Sequence, residues 1–404
     1  MSERPITILC IASYFKGESF MIGAKKAGCR VLLLTTQKLQ DKNWPHEFID
    51  EKFYVPDETD DWDMKRLIKG LSYVMRSEKI DRIAALDDYD VEKAAYLREY
   101  FRISGMGQSR YRFFRDKLAM RMQAQEAGLA VPAFSALFND HQINEFAQHT
   151  PTPWVVKPRS QASAVGIKKV YTSEQLWEII HELGDERGEY LVEQFVPGDV
   201  FHVDALNYES KVVFARVHQY VNTPMDVVYD GGIFRSYTVA HDSKDDKALQ
   251  KFNQQVMKAF GMKYSASHTE FIKAHADGKF YFLETSSRVG GANIAELLEA
   301  SSGLNIWAEW AKIEAATVKG NYELPKVDHL YSGIIISLTR QEYPDTSAYT
   351  DAEICWRMSN KEHHVGFIFK SDSLERIKEL LDSYAHRIKE DFHASMPVNP
   401  RPTN

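Results

Sequence analysis

The chain has 404 residues and a formal net charge of -7, with 44% hydrophobic and 26% charged residues, the composition of a folded globular protein. A chain this long exceeds a single hydrophobic core, so we expect two to four packed units. The mild acidity gives no electrostatic case for a nucleic acid or an anionic membrane as partner, because both are bound through basic surfaces.

Cysteine usage and hydropathy indicate a cytoplasmic protein. Cys10, Cys29 and Cys355 are widely spaced and form no CxxC pair, which argues against a disulfide framework and a cysteine zinc site. The apolar run 6–12 is too short for a signal peptide, and no stretch approaches the roughly 20 apolar residues that span a bilayer. We therefore predict a soluble protein in a reducing compartment.

The first part of the chain alternates apolar strands with helices. Strands are predicted at 6–12, 31–36 and 80–88, and helices at 18–28, 64–77 and 91–101. This alternation indicates a parallel sheet covered on both faces, so residues 1–107 are predicted to form an α/β domain. No GxGxxG follows the first strand, which leaves dinucleotide binding without support.

The remaining chain is predicted to form mixed helix and strand units. These are 108–150, a linker helix and the start of a second fold; 151–198, a small α+β unit; 199–328, a mostly β unit with helices; 329–391, a small α+β extension; and 392–404, a disordered tail. The tail is assigned on composition, because it lacks residues that form a core.

Two glutamates form the strongest candidate site. Glu270 and Glu284 lie on either side of Asp277-Gly278, in a pattern typical of a β-hairpin. A three-residue loop, 276–278, would pair Glu270 with Glu284, Ile272 with Phe282 and Ala274 with Phe280. Facing carboxylates about 5 Å apart at Cβ would suit Mg²⁺. Two solvated surface glutamates are the alternative, and a two-residue turn would shift the register by one.

Anion-binding signals flank these acids. Arg288 and Gly290-Gly291 precede a helix that begins near Asn293, and a helix N-terminus favours an anion. Upstream, Lys157 ends a buried strand and is followed by a small-residue loop of the kind that closes over phosphates. Taken singly, the glycine pair is more often an ordinary turn, and Lys157 with its loop is more often a solvated lysine beside a flexible loop.

Five segments together resemble the ATP-grasp superfamily over about residues 1–390, especially its biotin carboxylase, carbamoyl-phosphate synthetase and L-amino-acid ligase branch. They are RDKLAM to AGLAVP (115–132), VVKP with its loop (155–166), VEQFVPG (192–198), HTEF (268–271) and ETSSRVGG (284–291). The resemblance implies an N-terminal α/β domain, an ATP-grasp fold of two α+β subdomains clasping ATP, and a small C-terminal α+β extension.

The resemblance also implies the roles of individual residues. Contacts with ATP are implied for Lys117, Lys157, Glu193, Gln194, Phe195 and Val196, with Ser160, Ser163 and Gly166 on a lid over the phosphates. Metal ligands are implied at Glu270, Glu284 and Ser286, and Arg288 would stabilise the acyl phosphate. The cofactors would be ATP and Mg²⁺, with Mn²⁺ as an alternative metal.

Two positions depart from the family pattern. Ser286 stands where asparagine is usual, and Val200 stands where an acid often binds ribose; Asp199, His202 or Asp204 could substitute for it. We expect an ATP-dependent carboxylate–amine ligase acting on small molecules such as amino acids, and a homodimer would be compatible. The alternatives are an ATP-binding regulatory module without turnover and a kinase of the same fold.

Overall fold

The computed structural model describes residues 4–56, 62–161, 166–229, 231–359 and 361–395, which form three sheets with helices packed against them. Within these residues, no helix combines the length and the apolar character that crossing a bilayer requires.

The N-terminal unit is the predicted parallel sheet. Its elements are β1 Thr7–Ala12, α1 Glu18–Lys26, β2 Arg30–Thr36, β3 Glu51–Val55, α2 Met64–Val74, β4 Arg82–Ala85 and α3 Asp88–Tyr100. The strand order is β3-β2-β1-β4, and every pair is parallel. Strand β3 was not predicted, because its short run is only half-buried. The α/β class of this domain is confirmed.

A small antiparallel sheet follows the linker. Its elements are α4 Gln108–Tyr111, α5 Lys117–Glu126, β5 Phe134–Ala136, α6 Asp140–His149, β6 Trp154–Pro158, β7 Lys168–Val170, α7 Ser173–Leu183 and β8 Tyr190–Gln194. The strand order is β5-β8-β6-β7. Trp154, Val156 and Val192 face the helices α6 and α7 and form a core with them. This sheet is therefore a separate packing unit.

The largest sheet has eight strands in the order β13-β12-β9-β10-β11-β14-β16-β15. Its elements are β9 Gly198–Tyr208, β10 Lys211–Tyr220, α8 Pro224–Tyr229, β11 Phe234–Thr238, α9 Lys244–Ala259, β12 Ser265–Ala274, β13 Phe280–Ser286, α10 Ile294–Ser302, α11 Ile306–Lys319, β14 Tyr331–Leu338, β15 Ile354–Arg357, β16 His364–Ser371 and α12 Leu374–Asp391. The strands of the predicted extension, 329–391, thus continue the same sheet.

The N-terminal unit is fixed to the large sheet through α1 and α11. The rings of Phe20 and Trp310 meet edge to face at 4.8 Å in a shared core. Beside them Arg82 forms an ion pair of 2.7 Å with Glu314, and both side chains are buried. A buried ion pair is costly to separate, so this contact resists domain movement.

A glycine makes this close approach of helices possible. A Cβ at Gly23 in α1 would lie 2.7 Å from the Cα of Ala308 in α11. We expect Gly23→Ala to lower the free energy of unfolding by about 1–3 kcal/mol, because overpacking forces the helices apart. Urea unfolding followed by circular dichroism measures the change.

Gly70→Ala in α2 is the matched control, because a Cβ there meets no atom within 4 Å. This change should stabilise the protein by up to about 1 kcal/mol through helix propensity. Equal effects of the two substitutions would contradict the packing role of Gly23.

Candidate active site

A cavity of about 700 Å³ lies where the three units meet. Its wall includes Lys157 of β6, Glu193 at the end of β8, Glu270 of β12, Glu284 of β13 and Asp88 of α3. The candidate residues of both sheets therefore surround one space, and the N-terminal unit adds an acid that we did not predict.

Glu270 and Glu284 are direct partners across β12 and β13, as predicted, but the rest of the predicted register is wrong. The Ala274 N–H donates to the Lys279 carbonyl, and the Gly278 N–H donates to the Ala274 carbonyl, each at 2.9 Å. These bonds close a four-residue loop, which shifts the pairing by one. Phe271 therefore pairs with Phe282, and Ile272 pairs with Tyr281. A β-bulge next to Glu270 then restores the pairing of the two acids.

The bulge has a clear purpose in packing. Phe282 is fully buried against Phe271 in the core beneath the sheet, whereas Leu283 and Glu284 both line the cavity. Consecutive strand residues normally point to opposite faces. The additional residue in β13 therefore lets Phe282 fill the core while Glu284 still faces Glu270.

Each glutamate also has a polar partner. Lys117, the first residue of α5, places its Nζ 2.9 Å from Glu284 Oε2. Burial favours the neutral acid, but the Lys117 ammonium outweighs it and lowers the pKa of Glu284. The Tyr220 hydroxyl donates to Glu270 Oε1 at 2.9 Å. Two carboxylates of this kind, in a cavity that also contains cations, fit a hard cation bound together with phosphates.

Lys157 is buried and bonded to the carboxylate of Glu193, which also accepts from Arg121 Nε at 2.9 Å. Burial lowers the pKa of Lys157 to about 8, despite the attraction of Glu193. Arg121 and Lys157 together keep the pKa of Glu193 below its usual value against the effect of burial. Arg121 lies within the segment 115–132 but was given no role, because a lone arginine on a helix does not by itself indicate a buried partner.

Arg288 does not point into solvent; it forms an ion pair with Asp88 and donates to the Val289 carbonyl at 2.7 Å. Burial would raise the pKa of Asp88, but Arg288 lowers it to about 2, and the Ser286 hydroxyl acts in the same direction. Ser286, a predicted metal ligand, is therefore also close to this carboxylate. Asp88 was not predicted, although its position just after a parallel strand was a usable signal, because ligands bind at the carboxyl ends of such strands.

The remaining predicted contacts are spread around the cavity. Residues 194–196 line it, and the Phe195 ring lies 3.8 Å from Lys169 Nζ. In the predicted lid, Gln161 lines the cavity and its carbonyl accepts from Lys117 at 2.7 Å. Ser160 and Gly166 do not line the cavity but are the sequence neighbours of Gln161 and Ile167, which do. Ser163 falls outside the described residues.

Beneath Glu270 lies a buried polar cluster on β9, β10 and β12. We define it as His202, Asp204, His218, Tyr220 and His268. Burial would lower the pKa of His268, but the carboxylate of Asp204 raises it to about 10. His202 and Asp204 are 0% and 1% exposed and do not line the cavity, which removes them as ribose ligands.

Comparisons with known proteins identify the domain and the fold. Residues 150–296 match the model of an ATP-grasp domain. The L-arginine-specific L-amino acid ligase of Bacillus subtilis is 21% identical over 64% of this chain and 62% of its own length. A D-alanine–D-alanine ligase of Neisseria gonorrhoeae is 25% identical over 43% of this chain and 58% of its own length. The chain thus spans about three-fifths of these curated relatives.

Solved structures extend the likeness to the whole chain. An L-amino acid ligase from Bacillus licheniformis superposes with a TM-score of 0.73 at 16% identity, covering 98% of this chain and 100% of that one. A biotin carboxylase domain from Hydrogenobacter thermophilus, solved with MgADP and bicarbonate, gives 0.70 at 15% identity over 98% and 92%.

The domain match identifies an ATP-grasp domain at residues 150–296, and the likeness to solved structures shows that the whole chain has the fold of an L-amino acid ligase. The curated relatives named above are ligases that join amino acids.

The lowered pKa of Lys157 predicts how nucleotide binding depends on pH. In the free protein this ammonium loses its proton as the pH rises through about 8. A polyphosphate favours the charged form, so we expect the affinity for a non-hydrolysable ATP analogue to fall above that pH, by up to about tenfold per unit. Calorimetric titration from about pH 7 to pH 10 measures this dependence.

Lys157→Arg should flatten the dependence, because a guanidinium stays charged over this range. Lys168→Arg, at a lysine whose side chain is 52% exposed, is the control and should keep it. The assignment fails if the two variants behave alike.

Proposed function

We propose that the protein is an ADP-forming ligase that activates a carboxylate as an acyl phosphate and joins it to an amine. One observation carries the proposal: Glu270 and Glu284 face each other in a cavity that also contains Lys117, Lys157 and Arg288. Acids that hold a metal and cations that hold phosphates are the two requirements of phosphoryl transfer from ATP.

Nucleotide binding is assigned to the side of the cavity between the small sheet and β12–β13. Lys117 and Lys157 would bind the phosphates, and residues 194–196 would border the adenine. Glu193 would act through Lys157, whose ammonium its carboxylate already holds. Val200, Ile272 and Leu283 provide an apolar surface for a base on the large sheet. The loop with Ser160, Ser163 and Gly166 would close over the phosphates.

Glu270 and Glu284 would hold Mg²⁺, with Ser286 as a third oxygen donor and Mn²⁺ as an alternative ion. When bound, the ion supplies positive charge that stabilises the developing charge on the phosphates. Lys117 would neutralise the oxygen of Glu284 that it contacts. These residues thus set the charge balance around the transferring phosphoryl group.

The reaction has two steps. A carboxylate oxygen attacks the γ-phosphorus, the bond to the β-phosphate oxygen breaks, and ADP leaves. The amine nitrogen then attacks the acyl carbon, inorganic phosphate leaves with the electron pair of the broken C–O bond, and the amine proton passes to solvent or phosphate. Arg288 would stabilise the negative charge in the second step, and Asp88 holds its guanidinium in place.

The substrates are proposed to be small carboxylates and amines, with amino acids as the first candidates because of the relatives' names. A homodimer is part of the proposal, since the biotin carboxylase neighbour is described as a dimer. The decisive assay incubates the protein with Mg-ATP and pools of carboxylates and amines, and measures ADP, free phosphate and coupled products.

Equal release of ADP and phosphate together with a coupled product would support a ligase. ADP without free phosphate would instead indicate a kinase. ATP binding without release in any pool would indicate a regulatory module. Mass spectrometry of the productive pool identifies both substrates.

Glu284→Gln should reduce kcat/KM by at least about a hundredfold, because it removes one charge that holds the metal near the phosphates. The protein should still fold, since Glu284 is only half-buried. Glu178→Gln, at an exposed position of α7, is the control and should keep full activity. Steady-state ADP release measures both, and normal turnover of Glu284→Gln would refute the metal assignment.

A further inference from the structure

Glu270 is held by its neighbours through one of its two oxygens. The Tyr220 hydroxyl donates to Oε1 at 2.9 Å, and His268 Nε2 lies 3.6 Å from the same atom. Tyr220 comes from β10 and His268 from β12, so two strands restrain this carboxylate. Because both contacts are to Oε1, Glu270 presents Oε2 to a ligand in the cavity.

His268 is itself fixed from behind. Its Nδ1 lies 2.8 Å from Asp204 Oδ1, so each ring nitrogen faces a carboxylate oxygen. The other oxygen of Asp204 pairs with His202 Nδ1 at 2.6 Å, and His202 Nε2 lies 2.8 Å from Ser236 Oγ. Turning the imidazole of His268 would leave buried polar atoms unpaired, which is costly.

A glycine lets the chain cover this arrangement. A Cβ at Gly290 would lie 3.0 Å from His268 Nδ1 and 3.1 Å from Asp204 Oδ1. The backbone after Arg288 therefore passes directly over the Asp204–His268 hydrogen bond. Such a cover excludes water and strengthens the interaction.

His202, Asp204 and His218 also offer ligand atoms within 4.8 Å of one another, the spacing of a transition-metal site. Both oxygens of Asp204, however, already lie within hydrogen-bonding distance of an imidazole nitrogen. We therefore interpret Asp204 as the centre of a hydrogen-bonded support.

We propose that Tyr220 and His268, supported by Asp204, are positioning residues that restrict Glu270 to ligation through one oxygen and thereby make the site select Mg²⁺ over Ca²⁺. The inference rests on the proposed function, in which Glu270 holds the metal. Ca²⁺ takes more oxygens and often a bidentate carboxylate, whereas Mg²⁺ needs a small octahedral site with few carboxylates. A carboxylate with one oxygen already occupied therefore disfavours the larger ion.

Tyr220→Phe tests the proposal, because it removes the hydroxyl and keeps the ring. Mn²⁺ bound with a non-hydrolysable ATP analogue is followed by electron paramagnetic resonance while Mg²⁺ or Ca²⁺ displaces it. We expect the preference for Mg²⁺ over Ca²⁺ to fall about tenfold, the lower end of the effect of residues that orient metal ligands. This readout does not depend on turnover.

Tyr237→Phe is the matched control. Its hydroxyl donates to Gln219 at 2.6 Å. Tyr237 lies on the opposite face of β11 from its neighbour Ser236, which contacts His202 of the buried polar cluster. His268→Asn should shift the preference in the same direction as Tyr220→Phe, and thermal unfolding verifies that each variant folds. Equal ion preference in Tyr220→Phe and Tyr237→Phe would overturn the proposal.

The remaining outcomes separate this inference from the ligase assignment. A shifted preference in a protein that joins no substrates would support the positioning role and reject the ligase. Failure of the unmodified protein to bind Mn²⁺ with the nucleotide analogue would reject both. Stoichiometric zinc in the purified protein would overturn the interpretation of Asp204 as a hydrogen-bonded support.

Discussion

The site depends on two carboxylates that neighbouring strands hold directly opposite each other. Like charges so placed repel, and a sheet carries them only where other groups compensate. Here the compensation is distributed: Lys117 meets Glu284, while Tyr220 and His268 meet Glu270. Since the two acids are stabilised by different elements, their positions depend on the packing of α5 against β13 and on the strand order β12-β9-β10.

The N-terminal unit completes the charge balance from a distance in sequence. Asp88 and Arg288 are separated by 200 positions and form a partly buried ion pair. Lys16 pairs in turn with Asp87, next to Asp88. The contact of α1 with α11 therefore also constrains the candidate site, because it helps to set where Asp88 meets the guanidinium of Arg288.

The fold was more predictable than the details of the site. Alternation of strands and helices was sufficient for the N-terminal sheet. The pairing of Glu270 with Glu284 was predicted from a three-residue loop, and it holds because a bulge offsets the longer loop that the structure has. The bulge at Leu283 was not predicted, because one additional residue leaves the pattern of apolar residues nearly unchanged. Asp88 was missed because no local pattern links it to Arg288. The support of Glu270 did leave a signal: polar pairs two apart on three strands, as in His202 and Asp204.

Strand alternation explains how polar support and apolar core coexist in one sheet. His202 and Asp204 lie on the face toward the cavity, whereas Phe201 and Val203 lie in the core on the opposite face. A slip of one residue would bury the acids in that core and expose the phenylalanines, so the core fixes the register of the site. Strand β13 must serve both faces with residues that are two positions apart, Phe282 below and Glu284 above, although a regular strand would place both on one face. The bulge is the structural solution to that conflict, and it places the second carboxylate directly opposite the first.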